Sequence, residues 1–163
     1  IDKYMETIFT ELYCLFEGIF GVNVAEHLRG WQDATSDYTG PNLFYTMGLV
    51  TLVISLVVAL VYYYAINHPN FNRWFHWLIV GIVNSIICFC YGFYILDSEL
   101  KSGNISDSLL YVRDEEGEII QSLIDSGDCW LLGLANLIIG FFFFFICSMI
   151  VKWGSRNAKK SPF

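Results

Sequence analysis

A chain of 163 residues that is 55% hydrophobic and 18% aromatic is more apolar than ordinary soluble domains, in which the share is roughly 45–50%. Its net charge of −7 argues against a nucleic-acid partner, since such surfaces cluster Lys and Arg. The five cysteines, Cys14, Cys88, Cys90, Cys129 and Cys147, are scattered. Cys88 and Cys90 sit two apart on a predicted helix and point in different directions, so no metal or redox pair is expected.

The N-terminal segment, residues 1–37, opens on a helical period. Met5, Ile8, Phe9, Leu12, Leu15, Phe16, Ile19 and Phe20 fall on one arc, with Glu6, Thr10, Glu17 and Gly21 opposite, which predicts one amphipathic helix over 5–20. A helix this short, with three acids, is expected to lie at the bilayer interface or against the spans instead of crossing. No basic stretch precedes a short apolar one, so no signal peptide is expected. Ile1 points to a chain that begins upstream or starts at Met5. Gly18, Gly21 and Gly30 loosen the route to Gly40-Pro41, where the membrane domain, residues 38–163, begins.

Residues 38–72, 74–96 and 129–151 contain no Asp, Glu, Lys or Arg. A bilayer core of ~30 Å needs about 20 residues of helix, and apolar runs without alternation cross as helices, not as barrel strands. Spans are therefore predicted at about 43–66, 74–96 and 129–151. Aromatic belts mark their limits: Tyr62, Tyr63 and Tyr64 end the first, Trp74 and Trp77 open the second, Tyr91 and Tyr94 close it, and Trp130 and Trp153 bracket the third. The fold class expected is an all-α integral membrane protein. Three transmembrane helices are joined in it by an N-terminal amphipathic interfacial helix and a short extracytoplasmic hairpin-like loop.

Each span carries one small or polar stripe. These are Gly48, Thr51, Ser55 and Ala59; then Gly81, Asn84, Ser85, Cys88 and Gly92; then Gly133, Asn136, Gly140 and Cys147. Such faces drive helix association in lipid through close packing and interhelical hydrogen bonds. Asn84, Ser85, Cys88, Gly133, Asn136 and Gly140 are thus the candidate packing residues, bonding within one protomer, between copies, or lining a pore. Opposite them lie five consecutive phenylalanines, of which Phe141 and Phe145 are candidate partner or lipid contacts. Between the first two spans, His68, Arg73 and His76 occupy a polar turn that could contact a lipid phosphate or a partner; its Asn and Pro residues equally suit a plain turn.

In the segment between the second and third spans, acids outnumber bases nine to two over residues 97–128. Two β-prone stretches, 109–112 and 118–121, flank residues 113–117 and predict a hairpin. Glu115, Glu116 and Glu118 form an acidic outer loop that could concentrate cations at a mouth or simply stay solvated. Asn104-Ile-Ser106 matches a glycosylation acceptor. After the third span come Lys152, Arg156, Lys159 and Lys160 without an acid, so the C-terminus is expected in the cytoplasm and the acidic loop outside.

The spans hold no Asp, Glu, Lys or Arg, groups that ion-coupled transport normally requires there, and the three histidines are widely separated. No Ser-His-Asp set or Gly-rich phosphate loop occurs, so no catalytic residue, cofactor or metal is expected, and no enzyme. The expected function is a non-enzymatic, membrane-embedded subunit of a homo- or hetero-oligomeric membrane complex, of a secretion or defence type. Its partners would be the lipid bilayer and either copies of itself or other membrane subunits. An oligomeric ion-conducting pore is the first alternative. A small lipid-acting enzyme comes last, because it needs His68, Arg73 and His76 to converge.

Overall fold

The computed structural model describes residues 2–66 and 74–153. In chain order the elements are α1 (Asp2–Cys14), α2 (Glu17–Phe20), α3 (Val22–Arg29), β1 (Trp31–Gln32), β2 (Asp37–Tyr38) and α4 (Leu43–Leu60), which continues as a π-helical turn over Val61–Ile66. Then follow α5 (Trp74–Ser102), α6 (Asp107–Leu110), β3 (Tyr111–Arg113), β4 (Ile119–Ser122) and α7 (Ser126–Lys152). Three of these helices are long and apolar enough to cross a membrane, over Leu43–Tyr64, Trp74–Ser102 and Ser126–Lys152. That is the signature of a polytopic membrane protein.

Local chemistry sets the limits of the long helices. Asn42 caps α4, its side-chain oxygen accepting the Tyr45 N–H at 3.2 Å. A capping box starts α7: the Asp125 side chain accepts from the first turn while Asp128 Oδ2 accepts the Asp125 N–H at 3.0 Å. This places its start ahead of the apolar run at 129. Likewise α5 outlasts its apolar run, which ends at 96. Asp97 and Lys101 pair one turn apart at 2.6 Å and continue the helix as a polar extension, until Gly103 at φ 69° turns the chain.

Pairs of bonded residues give the directions of the bundle. Thr51 meets Asn136 and Ser55 meets Gly140, so α4 and α7 run the same way. Cys88 meets Asn136, Asn84 meets Gly140 and Trp77 meets Ser148, so α5 runs against them. The starts of α4 and α7 and the finish of α5 therefore share one end, here called the hairpin end. Half of the apolar stretch of α7 is buried, against 33% for α4 and 28% for α5; α7 is the central helix, packed on both others.

The N-terminal segment departs from the predicted single helix over 5–20. After Cys14 a tight turn forms, with Phe16 N–H donating to Tyr13 O at 2.9 Å, and Gly21 at φ 90° separates α2 from α3. The apolar arc is divided accordingly. Phe9, Tyr13 and Phe20 are buried, whereas Ile8 and Leu15 are 63% and 79% exposed. Phe9 packs edge-to-face on Phe143 at 6.1 Å and occupies the space above Gly48, where any Cβ would collide with its ring. Tyr13 stacks on Phe44 at 5.3 Å. A second apolar cluster, around Trp77, Phe144, Ala59 and Val151, fills the other end of the bundle.

Two antiparallel hairpins cover the hairpin end, β1–β2 and β3–β4. The predicted stretch 109–112 is displaced, because Leu109 and Leu110 close the helical turn α6 and strand β3 starts only at Tyr111. Leu109 is buried against Ile105 and Ile124 in the main core, and that burial outweighs its strand propensity. The two polar segments dock on one another. Asp33, in the turn between β1 and β2, accepts hydrogen bonds from the hydroxyl and the N–H of Ser108.

Candidate functional site

The polar side chains of the spans converge into one buried network. Asn136 on α7 is its hub. Its Oδ1 accepts from Tyr13 OH at 2.5 Å and Thr51 Oγ1 at 3.1 Å, and its Nδ2 donates to Cys88 O at 2.6 Å. Four helices are thus tied to one amide: α1, α4, α5 and α7. One helical turn further on, Asn84 Nδ2 donates to Gly140 O at 2.9 Å and Ser55 Oγ at 3.1 Å, and Ser55 Oγ donates to Gly140 O at 3.2 Å. Deeper still, Trp77 Nε1 donates to Ser148 Oγ at 3.0 Å. Asn84, Asn136, Thr51 and Ser55 are all fully buried. Asn84 Oδ1 has no hydrogen-bond donor among the described residues.

Small residues make this convergence possible by letting the helix axes close up. A Cβ on Gly140 would stand 2.5 Å from Cys88 Sγ, and one on Gly92 would stand 2.8 Å from the Asn136 Cβ. Gly133 faces the Phe89 ring at 3.0 Å by the same measure. Cys88 therefore lies in the α5–α7 seam, and Ser85 spends its hydroxyl on Gly81 O at 2.9 Å in its own helix. All six candidate packing residues are buried between helices of this chain.

The other candidates are spread apart. Phe141 is half-buried and Phe145 is exposed, so the phenylalanine run divides, with Phe143 and Phe144 turned inward and Phe142 outward. His76 is half-buried in the first turn of α5, its ring 6.3 Å from Phe75; His68 and Arg73 lie outside the described residues. Glu115, Glu116 and Glu118 are exposed in the turn between β3 and β4. Asp114 organises that turn, its Oδ1 accepting the N–H groups of Glu116 and Glu118 at 3.0 and 2.8 Å, with Gly117 at φ 84°. Asn104 of the glycosylation pattern is exposed.

Electrostatics at the hairpin end favour the charged form of two carboxylates. The Ser108 hydroxyl and N–H keep Asp33 below the usual carboxylate range, and Arg113, at 2.8 Å, does the same for Asp107. Sequence reading missed two participants, Tyr13 and His27. Nothing in the sequence singles out Tyr13, yet its hydroxyl completes the Asn136 hub. His27 read as isolated, yet Glu99 lies 3.3 Å away from the polar extension of α5. No family model, curated protein or solved structure matches the chain.

Proposed function

We propose that the chain is a non-enzymatic, membrane-embedded subunit of a homo- or hetero-oligomeric membrane complex, such as a secretion or defence assembly. The supporting observation is the inward convergence of the polar stripes. Thr51, Ser55, Asn84 and Asn136 bond one another inside a single chain, which is the use of glue and not that of a channel lining. What remains outward is an aromatic and aliphatic flank, including Phe142, Ile150 and Trp153, and an acidic layer at the hairpin end. Contact through those surfaces is then the work left for the chain. In this reading α1 lies at the interface with three faces. Phe9 and Tyr13 meet the bundle, Tyr4 and Ile8 meet lipid, and Lys3, Thr7 and Glu11 meet water. The C-terminus is cytoplasmic and the hairpin end extracytoplasmic, as the charge bias requires.

A photo-crosslinking residue placed at Phe142, Ile150 or Glu116 in the native membrane tests the proposal. The expected product at one position at least is a discrete adduct with a defined chain, either this one or a single other. Lipid adducts alone at all three positions would refute it.

A further inference from the structure

At the hairpin end, an open cavity of about 260 Å³ lies between α3, the β1–β2 hairpin, the start of α4 and the last turns of α5. It is lined by His27, Trp31, Gln32, Leu43, Glu99 and Asn104, among others. The floor is rigid. Gly40 N–H donates to Gly30 O at 2.8 Å, and Gly30, at φ 95°, comes so close that a Cβ there would meet Gly40 O at 2.5 Å. An apolar cavity of roughly 150 Å³ already accommodates a benzene-sized molecule, so this one has room for a small organic group.

The chemistry of the lining is anionic. Glu99 contributes a carboxylate whose side chain is 20% exposed, and α3 ends here with its negative dipole end. Among the described residues, no Lys or Arg lines the cavity. The other charged groups on the surrounding elements have their own partners, Asp37 on β2 accepting the Tyr38 N–H at 2.7 Å. Arg29 on α3 pairs with Glu17 and Glu26, Asp97 with Lys101 on α5, and Asp107 with Arg113; Asp33 is held by Ser108. No residue of α4 is charged.

Among the described residues, the titratable group in contact with Glu99 is His27, and that contact is incomplete. His27 is only 7% exposed. Its Nε2 sits 3.3 Å from Glu99 Oε2 but off the line a hydrogen bond needs, so the nitrogen is buried without a hydrogen-bond partner among the described residues. Burial holds the imidazole pKa below its ordinary 6.5 despite the opposing pull of Glu99. With a neutral imidazole, the carboxylate charge is uncompensated at the cavity wall.

We propose that this cavity is a binding site for a primary ammonium group, which donates N–H bonds to the Glu99 carboxylate and to the His27 imidazole nitrogen. Leu43 opens α4, and Glu99 lies within one turn of the end of the apolar run at 96, which puts the site at the level of lipid headgroups. The ammonium can therefore come from a phosphatidylethanolamine headgroup or from a free amine. Binding excludes a second proton on His27, so ammonium and proton compete.

The test uses the full chain with isotope-labelled histidine in nanodiscs, following the His27 imidazole resonance against pH. His68→Gln and His76→Gln assign the signals. In phosphatidylcholine discs, ethanolammonium at tenfold its dissociation constant is expected to lower the His27 midpoint by about one pH unit. Sodium and tetramethylammonium, which carry no N–H, are expected to leave it unchanged at equal ionic strength. A shift produced by free ethanolammonium identifies a soluble amine site; a shift seen only with phosphatidylethanolamine discs identifies a headgroup site. Glu99→Gln is expected to abolish either shift while His27 still titrates. An unchanged wild-type midpoint in both arms, with the free amine raised to about 100 mM so that even a roughly 1 mM affinity saturates, would overturn the proposal.

Discussion

Replacing Tyr13 by Phe removes one oxygen from the Asn136 hub and leaves the ring stacked on Phe44. The bond lost is the 2.5 Å donation to Asn136 Oδ1, which keeps Thr51 as a second donor, so no acceptor is stranded. Hydrogen bonds between helices in membranes contribute about 0.6 kcal/mol on average and up to about 1.7 kcal/mol. A short, fully buried bond belongs to the upper half of that range, and the expected cost is about 1 kcal/mol. Asn136→Ala removes three bonds at once and is expected to cost about 3 kcal/mol. Because both substitutions delete the same contact, their effects must not add: the double variant should recover about 1 kcal/mol of coupling. Reversible unfolding in bicelles, followed through Trp77 and Trp130, supplies the four stabilities. Amide exchange gives a second reading, with α1 opening about fivefold more often in Tyr13→Phe while the interior of α7 is unchanged. Additivity within about 0.3 kcal/mol would mean that α1 is not joined to the bundle through this bond.

Three further outcomes follow from the same structure. Gly140→Ala forces a methyl group to within 2.5 Å of Cys88 Sγ and is expected to destabilise the bundle by about 1–3 kcal/mol in the same unfolding assay; an unchanged stability would refute the α5–α7 seam. His27 has its pKa lowered by burial, so the unfolded state binds the extra proton. The contribution of neutral His27 is intact above about pH 6.5 and is lost as pH falls through the lower folded value. Protection of the α3 amides, taken relative to their intrinsic exchange rates at each pH, should then fall from pH 7 to pH 5, and His27→Gln should flatten that dependence. Single cysteines at Ser106 and Ser155, in a background without the native ones, should label from opposite sides of the membrane; labelling of both from one side would refute the charge-based orientation.

The three long helices were legible because their signal is compositional. A stretch such as 129–151 has no charge to misplace, and its limits follow from Trp130 and Trp153. The small and polar stripes were legible for a related reason, since spacings of three and four put Asn136, Gly140 and Gly133 on one face whatever they pack against. What could not be read was the partner of each stripe. Nothing in the spacing of Asn136 says that Tyr13, 123 positions earlier, supplies its hydrogen-bond donor. The N-terminal period pointed to a single helix because Ile8, Leu15 and Phe16 share the arc of Phe9. Ile8 stands beside Phe9 in the same helix α1 and is exposed while Phe9 is buried; which apolar position faces the bundle is set by tertiary contacts such as the stacking of Tyr13 on Phe44. His27 and Glu99 illustrate the same limit, because two unremarkable polar positions became a pair only when α3 folded onto the end of α5.

The central claim, that this bundle works by joining other membrane chains, is tested most directly by native mass spectrometry of nanodiscs excised from the native membrane without detergent. The mass of the single native chain, read after denaturation, sets the unit. The account predicts a discrete peak at a whole multiple of that mass, or at that mass plus a fixed set of companion chains, and predicts that the same particles carry no steady current in planar bilayers. A population found only at the monomer mass at every protein density would contradict it, and steady cation currents from a pure oligomer would transfer the assignment to the conducting pore.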